Sequence, residues 1–99
     1  MKRHKAIIAR SAKELAKVLG LSAADGLEIQ IRSDLDDKIV RVIEEKRLTH
    51  AQVAKLARTS RTRVTALVNR NTKDISTDLM LRILSALGVY TKIQFKAVA

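Results

Sequence analysis

Cysteine and proline are missing from this 99-residue sequence, and glycine and aromatic residues are scarce. Without cysteine, neither a disulfide framework nor a thiolate metal site can form. The two histidines, His4 and His50, lie too far apart in the chain to begin a zinc site. The sequence also lacks a phosphate-cradling glycine loop, a nucleophile–base spacing and a carboxylate pair with a plausible pocket. We therefore expect a protein that is not an enzyme and that holds no metal or cofactor.

Long apolar runs are missing as well. The longest are only a few residues, which argues against a membrane-spanning helix and a membrane partner. Near the N-terminus, in "MKRHKAIIARS", only residues 6–9 are apolar before Arg10. That run is shorter than the apolar region of a secretory signal peptide, so we expect a cytoplasmic protein.

Acidic residues are missing from one long segment, residues 46–73, called the basic segment below. The chain carries a formal net charge of +10, and this segment holds eight of its twenty Lys and Arg residues but none of its ten acids. Its cations are Lys46, Arg47, Lys55, Arg58, Arg61, Arg63, Arg70 and Lys73. A solvated face normally mixes both signs, so this clustering predicts a surface that binds a polyanion. RNA modules that stack bases on aromatic side chains fit poorly, because Tyr90 and Phe95 lie outside the segment.

Helix boundaries are marked by caps rather than by proline. Four stretches, "SAKE", "SAAD", "SDLD" and "THAQ", have the spacing of a capping box. Together with the periodicity, they predict helices over residues 12–19, 23–46, 50–57, 61–69 and from Ser76 or Thr77 to about 87. Residues 26–32 also alternate as a strand would, so helix and strand both remain open there. Gly88 suits the left-handed end of the last helix.

The expected core comes from the apolar stripes of these helices. The inward residues are predicted to be Val53, Leu56, Ala57, Val64, Leu67, Val68, Leu79, Ile83, Leu84 and Leu87. After Gly88 the period changes to two, which predicts a strand over residues 89–95 that pairs with its symmetry mate or with "KAIIAR" near the N-terminus. The predicted organisation is an N-terminal arm and helical extension at 1–33, a helical domain at 34–88 and a C-terminal strand, the dimerisation element, at 89–99.

The link between the two middle helices is the most informative feature for function. Only Arg58, Thr59 and Ser60 join them, and so short a link forces the helices to cross steeply. This arrangement is typical of a helix-turn-helix, whose second helix lies in the major groove of DNA. The first turn of that helix holds Arg61, Thr62 and Arg63, and an arginine fork can bond guanine O6 and N7 together. Amides near Thr49 and Ser60 can receive phosphates at the two helix N-termini.

"LTHAQVAKLARTSRTRVTALVNRN" resembles the helix-turn-helix of the lambda-repressor-like regulators of the xenobiotic-response-element (XRE) family. The matching residues are Leu48, Thr49, Ala54, Ser60, Val64 and Leu67. The "DISTDLMLRILSALGVYTKIQF" tail resembles a subgroup with a fourth helix and a terminal strand, some of whose members are HigA-type antitoxins. The resemblance spans residues 34–95. It implies a mainly α fold, a lambda-repressor-like helix-turn-helix bundle of about five helices with a short C-terminal β-strand.

The same resemblance implies positions for DNA contacts. The phosphate-binding position at the start of the first helix of the pair falls on His50, where the family usually has glutamine. The base-reading positions fall on Arg61, Thr62, Thr65 and Ala66, with Arg63 and Asn69 nearer the backbone. Ala66 is too short to bond a base, and Arg58 stands where the family has a turn glycine. The predicted DNA-binding residues are thus His50, Ser60, Arg61, Thr62, Arg63, Thr65, Ala66, Asn69 and Arg70.

The sequence is compatible with two functions. The first is a sequence-specific DNA-binding transcriptional regulator, a repressor, that binds double-stranded DNA as a homodimer. The second is a HigA-type antitoxin, which would bind a ribonuclease toxin as well as its own operator. Both use the same DNA surface, so only a second binding surface, such as one on residues 1–21, would distinguish them.

Overall fold

Four α-helices make up the regular structure of the part of the chain that the computed structural model describes, residues 23–97. In chain order they are α1 (Ala23–Glu45), α2 (His50–Ala57), α3 (Arg61–Val68) and α4 (Thr77–Ala86). The predicted helices of the basic segment and of the following tail agree with α2, α3 and α4 to within two residues. The helix expected over residues 12–19, and with it the predicted total of five, lies outside the described residues. The chain divides into two compact units, Met1–Leu35 and Asp36–Ala99.

α1 settles the ambiguity at residues 26–32 in favour of a helix. It runs without a break through Ser33, so the "SDLD" capping box does not mark a helix start. Within the first unit, Gln30 Nε2 donates to Asp34 Oδ1 at 2.9 Å, one turn further along the helix. Leu27 and Ile31 are exposed, so the apolar alternation that resembled a strand is surface here.

The core of the second unit is formed by apolar side chains from all four helices. Its fully buried members are Ile39, Val53, Val64, Leu67, Met80, Ile83 and Leu84. Burying one such side chain contributes about 1.5–3 kcal/mol. α2 and α3 have only eight residues each, too few to be stable alone, so this packing holds them in place.

The prediction that Leu56 faces the core is wrong. Leu56 is 54% exposed, whereas Val53, Ala54 and Ala57 form the buried face of α2. The small side chains of Ala54 and Ala57 allow a neighbouring helix to pack closely against α2. The buried face of α2 is therefore centred on these alanines and not on Leu56. Val68 of α3 is half-buried.

Capping bonds begin three of the helices as predicted. Thr49 and Gln52 form a complete capping box, with Thr49 N donating to Gln52 Oε1 at 2.8 Å and Gln52 N donating to Thr49 Oγ1 at 3.1 Å. The Ser60 hydroxyl accepts from the Arg63 amide, and the Ser76 hydroxyl accepts from the Leu79 amide. An N-cap hydroxyl stabilises a helix by about 1 kcal/mol, so each start is set locally.

The predicted C-terminal strand is not formed. Residues 89–97 have no regular secondary structure, and no β-strand occurs anywhere from residue 23 to residue 97. Tyr90 and Phe95 are 89% and 93% exposed, and Ile93 is exposed as well. The alternating pattern is real, but a strand persists only when its backbone pairs with another, and the described chain offers no partner.

The end of α1 is tied to the end of α4 within the second unit. Lys46 Nζ donates to the Leu87 carbonyl oxygen at 2.7 Å. A lysine is favourable there because the last carbonyls of a helix lack intrahelical partners and carry partial negative charge. Gly88 follows with φ of 82°, the left-handed conformation expected from the sequence.

Candidate nucleic-acid interface

α2 and α3 form a compact two-helix unit. Three residues, Arg58 to Ser60, separate them. α2 buries Val53, Ala54 and Ala57, and α3 buries Val64 and Leu67. The opposite face of α3 is therefore left for a partner.

The first turn of α3 is capped and exposed. Ser60 adopts an extended backbone, and its hydroxyl accepts from the Arg63 amide at 3.2 Å. Arg61, Thr62 and Arg63 are all exposed. The cap holds the backbone while the three side chains remain free to contact a ligand. Of the other predicted contacts on or beside α3, Thr65 and Ala66 are half-buried, and Asn69 is exposed just after the helix.

A side-chain hydrogen bond joins the two helices on this face. His50 Nδ1, in the first residue of α2, lies 2.8 Å from Thr65 Oγ1. If Nδ1 accepts the hydroxyl proton, Nε2 carries the ring hydrogen and can donate to a phosphate. Thr65 keeps its methyl group for contact with a thymine. The structure thus brings together two residues, fifteen apart in sequence, that were expected to contact DNA separately.

The start of α2 offers backbone donors beside His50. The capping box uses the amides of Thr49 and Gln52, and the Val53 amide bonds the Thr49 carbonyl oxygen at 3.1 Å. The amides of the first turn of a helix have no partner within it, which leaves those of His50 and Ala51 for an incoming anion.

A match to a known protein family agrees with the helix-turn-helix geometry of α2 and α3. A family described as helix-turn-helix domain matches residues 15–96, most of the chain. The chain belongs to this family. Neither a curated protein nor a solved structure matches it. The helix-turn-helix is a DNA-binding unit, so the family supports a DNA-binding regulator.

Two further observations concern the residues that the structure describes in this helix-turn-helix protein. From residue 23 to residue 97, no helix is both long and apolar enough to span a bilayer. Over the same range, no three His, Asp or Glu side chains come together as a metal site would require.

Each of the four helices between residues 23 and 97 of this helix-turn-helix protein is followed by a residue in the left-handed conformation, and three of these four residues are arginines. Arg47, Arg58 and Arg70 have φ of 52°, 55° and 64°. After each, the next amide bonds back to the helix, as when the Thr59 amide reaches the Ala54 carbonyl oxygen at 2.9 Å. Glycine adopts this conformation freely, whereas another residue pays about 1–2 kcal/mol. Side chains at strained positions are often kept for function, which points to the arginine charges.

Arg58→Gly is therefore expected to raise the free energy of unfolding by about 0.5–1 kcal/mol, because relief of strain exceeds the extra chain entropy of glycine. The same variant should bind DNA more weakly. Urea unfolding and an anisotropy titration measure the two effects. Arg58→Ala is the matched control, since it removes the charge but keeps the strain. Equal stability of the Gly and Ala variants would contradict the prediction.

Arg70, a predicted DNA contact, is held by two carboxylates of α1. Its Nη1 lies 2.5 Å from Asp37 Oδ1 and 3.6 Å from Asp36 Oδ2. Asp36 is buried, and its Oδ1 has no hydrogen-bond partner among the described residues. Burial raises the pKa of Asp36, the Arg70 charge opposes that rise, and the neighbouring Asp37 carboxylate adds to it. These contacts tie Arg70, two residues after the end of α3, to α1 within the second unit.

Two arginines that are not among the predicted DNA-binding residues lie beside α3. Arg58, in the turn, and Arg82, on α4, line one pocket together with Arg63. Arg58 was expected only to add to the charge of the basic segment and to replace a turn glycine, and Arg82 lies outside that segment. No sequence signal joins them, because their proximity depends on how α4 packs.

Proposed function

We propose that the protein is a sequence-specific transcriptional repressor that reads the major groove of double-stranded DNA with α3. The observation that carries this proposal is the capped, exposed first turn of α3, with Arg61, Thr62 and Arg63 side by side. Arginine forks discriminate guanine in the major groove, and a threonine methyl contacts thymine. A regulator of this kind blocks transcription by occupying its operator.

The surroundings of α3 support a role in binding DNA. The basic segment holds no acid, so no carboxylate within it repels a phosphate. His50 lies at the start of α2 with one ring nitrogen bonded to Thr65 and the other available. Phosphate contacts from such groups set the register of a protein on DNA, while base contacts specify sequence.

Arg61→Ala is expected to cost about 1–3 kcal/mol of affinity on the cognate operator and to relax preference at one base pair. Arg61 is exposed at the first position of α3. Lys55→Ala is the matched control. Lys55 is exposed on α2, where it can reach only phosphate, so its loss should weaken all sequences alike. Competition against a randomised site library measures both. Unchanged base preferences in Arg61→Ala would rule out α3 as the recognition helix.

The repressor is proposed to act as a homodimer through residues 89–97. Tyr90, Ile93 and Phe95 are exposed large hydrophobic residues on a short segment without secondary structure. Pairing with the same segment of a second copy would supply the missing hydrogen-bond partners and cover one apolar face. A two-fold dimer would also present two α3 helices to half-sites about 34 Å, or a multiple of that, apart.

Sedimentation equilibrium at micromolar concentration should therefore detect a dimer. The Ile93→Lys variant should shift the monomer–dimer equilibrium towards the monomer. Ile93 lies on the apolar face of the alternating pattern, so a charge there would be buried in the dimer without a partner. Gln94→Lys adds the same charge on the other face and should leave the dimer intact. A monomer at every concentration, with and without DNA, would contradict the proposal.

The antitoxin function is a second candidate, favoured by one observation. Leu27 and Ile31 are exposed on the first part of α1, together with the partly exposed Ile29. Leu27 and Ile31 are one turn apart on the same face of the helix, and adjacent exposed apolar residues suit a protein partner better than they suit solvent. Affinity capture from the native host, followed by mass spectrometry, should then recover a small ribonuclease. Recovery of the ribonuclease equally by Leu27→Ser/Ile31→Ser would contradict this surface.

A further inference from the structure

A pocket of about 270 Å³ lies where the turn, the recognition helix and α4 meet. Arg58 enters it from the turn, Arg63 from the first turn of α3, and Arg82 from α4. None of the three forms an ion pair with a described residue, whereas Arg70 is paired twice. Three guanidinium groups with a single carboxylate beside them leave an excess of positive charge, which a bound anion would offset. The pocket is thus a candidate anion site.

The charge of the pocket indicates which anion fits. Asp74 also lines it, so three guanidinium charges less one carboxylate leave a formal charge of +2. A phosphate monoester carries about −1.5 to −2 at neutral pH. Each phosphodiester of the DNA backbone carries only one negative charge. The formal charge of +2 in the pocket therefore matches the charge of a phosphate monoester more closely than the charge of a backbone phosphate.

The side chains of the pocket suit a phosphate group. Arginine forks bind phosphate through two parallel hydrogen bonds. Thr59 also lines the pocket, but its Oγ1 is buried away from solvent, so the arginines are the groups that a ligand can reach.

The size of the pocket limits the ligand. Pockets for drug-sized ligands usually hold about 300–1,000 Å³, so this one suits a small molecule or one part of a larger one. The strained backbone of Arg58 adds to the case, because a glycine would be easier there and would lack the guanidinium.

We propose that this pocket binds the phosphate group of a small phosphate monoester, held by Arg58, Arg63 and Arg82. Arg63 belongs to the first turn of the recognition helix, so the ligand and DNA compete for it. The bound monoester is thus an effector that releases the protein from its operator. Binding of the monoester does not depend on the proposed function, whereas the release of DNA rests on it.

The first test compares two probes on the full chain at a pH of about 7.5, where a monoester is dianionic. Methyl phosphate represents the monoester, and dimethyl phosphate represents the DNA backbone. Titrations followed by amide chemical shifts should show methyl phosphate binding about tenfold more tightly, with shifts around Thr59 and Arg63. Equal or tighter binding of dimethyl phosphate would overturn the monoester assignment and mark the pocket as a backbone-phosphate position.

Arg82→Met is the decisive variant, with Arg41→Met as its control. Both residues are exposed arginines on helices, but only Arg82 lines the pocket. Arg82→Met should lower the affinity for methyl phosphate about tenfold, and Arg41→Met should change it less than about twofold. The amide spectrum of each variant reports whether it is folded. Equal losses in the two variants would show that phosphate binds only to the general positive charge, which overturns the proposal.

The last test addresses competition. Methyl phosphate at about ten times its dissociation constant should weaken operator binding by roughly tenfold in the wild type and much less in Arg82→Met. Tight methyl phosphate binding without any effect on operator affinity would overturn the effector role. A protein that binds methyl phosphate but no DNA sequence would instead overturn the proposed repressor and leave the pocket standing.

Discussion

Raising the salt concentration from about 50 to about 200 mM is expected to weaken operator binding by about 10³- to 10⁵-fold. Each basic side chain that neutralises a phosphate releases counterions, and the released ions oppose binding more strongly as salt rises. The basic segment places its cations on and around α2 and α3 without an acid among them. If each subunit contacts on the order of 3–5 phosphates, a dimer falls in this range.

Fluorescence anisotropy of a labelled operator duplex measures this dependence. The slope of log affinity against log salt counts the phosphate contacts, so Lys55→Ala should reduce the slope by about one per subunit if Lys55 contacts the backbone. Asp78→Asn is a useful comparison, because it removes an exposed acid on α4 and should change the slope little. A nearly flat titration would show that the partner is not a polyanion.

Leu67→Ala is expected to lower the free energy of unfolding by about 2–5 kcal/mol. Leu67 is 0% exposed on the inner face of α3, so its truncation would leave a cavity beneath the recognition helix. Domains of this size have a total stability of about 5–15 kcal/mol, so the change would unfold a measurable fraction of the protein at 37 °C. Affinity for the operator should fall with it, because α3 is too short to stay helical alone.

The chain offers a matched control in Leu56→Ala. The chemical change is the same, but Leu56 is 54% exposed on α2, and truncation there should cost less than about 1 kcal/mol. Urea unfolding followed by far-ultraviolet circular dichroism measures both variants. Similar costs would mean that the buried faces of α2 and α3 are assigned wrongly.

The starts of the helices could be derived from the sequence because they depend on bonds between neighbours. The capping interactions of Thr49, Ser60 and Ser76 each span three residues. The partners of such bonds are near neighbours in sequence, so the position of each helix start can be predicted even though packing is needed to keep the short helices folded. The charge of the basic segment is likewise a property of the sequence, and with the short turn it was sufficient to predict a helix-turn-helix.

The candidate site was predicted only in part. Arg61, Thr62 and Arg63 are exposed in the first turn of α3, as a recognition helix requires. The bond between His50 and Thr65 could not be read from the sequence, since it depends on the crossing of α2 and α3. The engagement of Arg70 by carboxylates more than thirty residues earlier could not be read from it either.

Tertiary structure decided the remaining features, because each depends on groups distant in sequence. Helix packing buries Ala54 of α2 and leaves Leu56 exposed. It also brought Arg82 of α4 to Arg58 and Arg63, and so created a pocket that no local pattern marks. The alternation after Gly88 predicted a strand, but strand hydrogen bonds need a second backbone, and residues 89–97 have none within the described chain. A helix closes its hydrogen bonds within four residues, whereas a strand or a pocket exists only when separate parts of the chain meet.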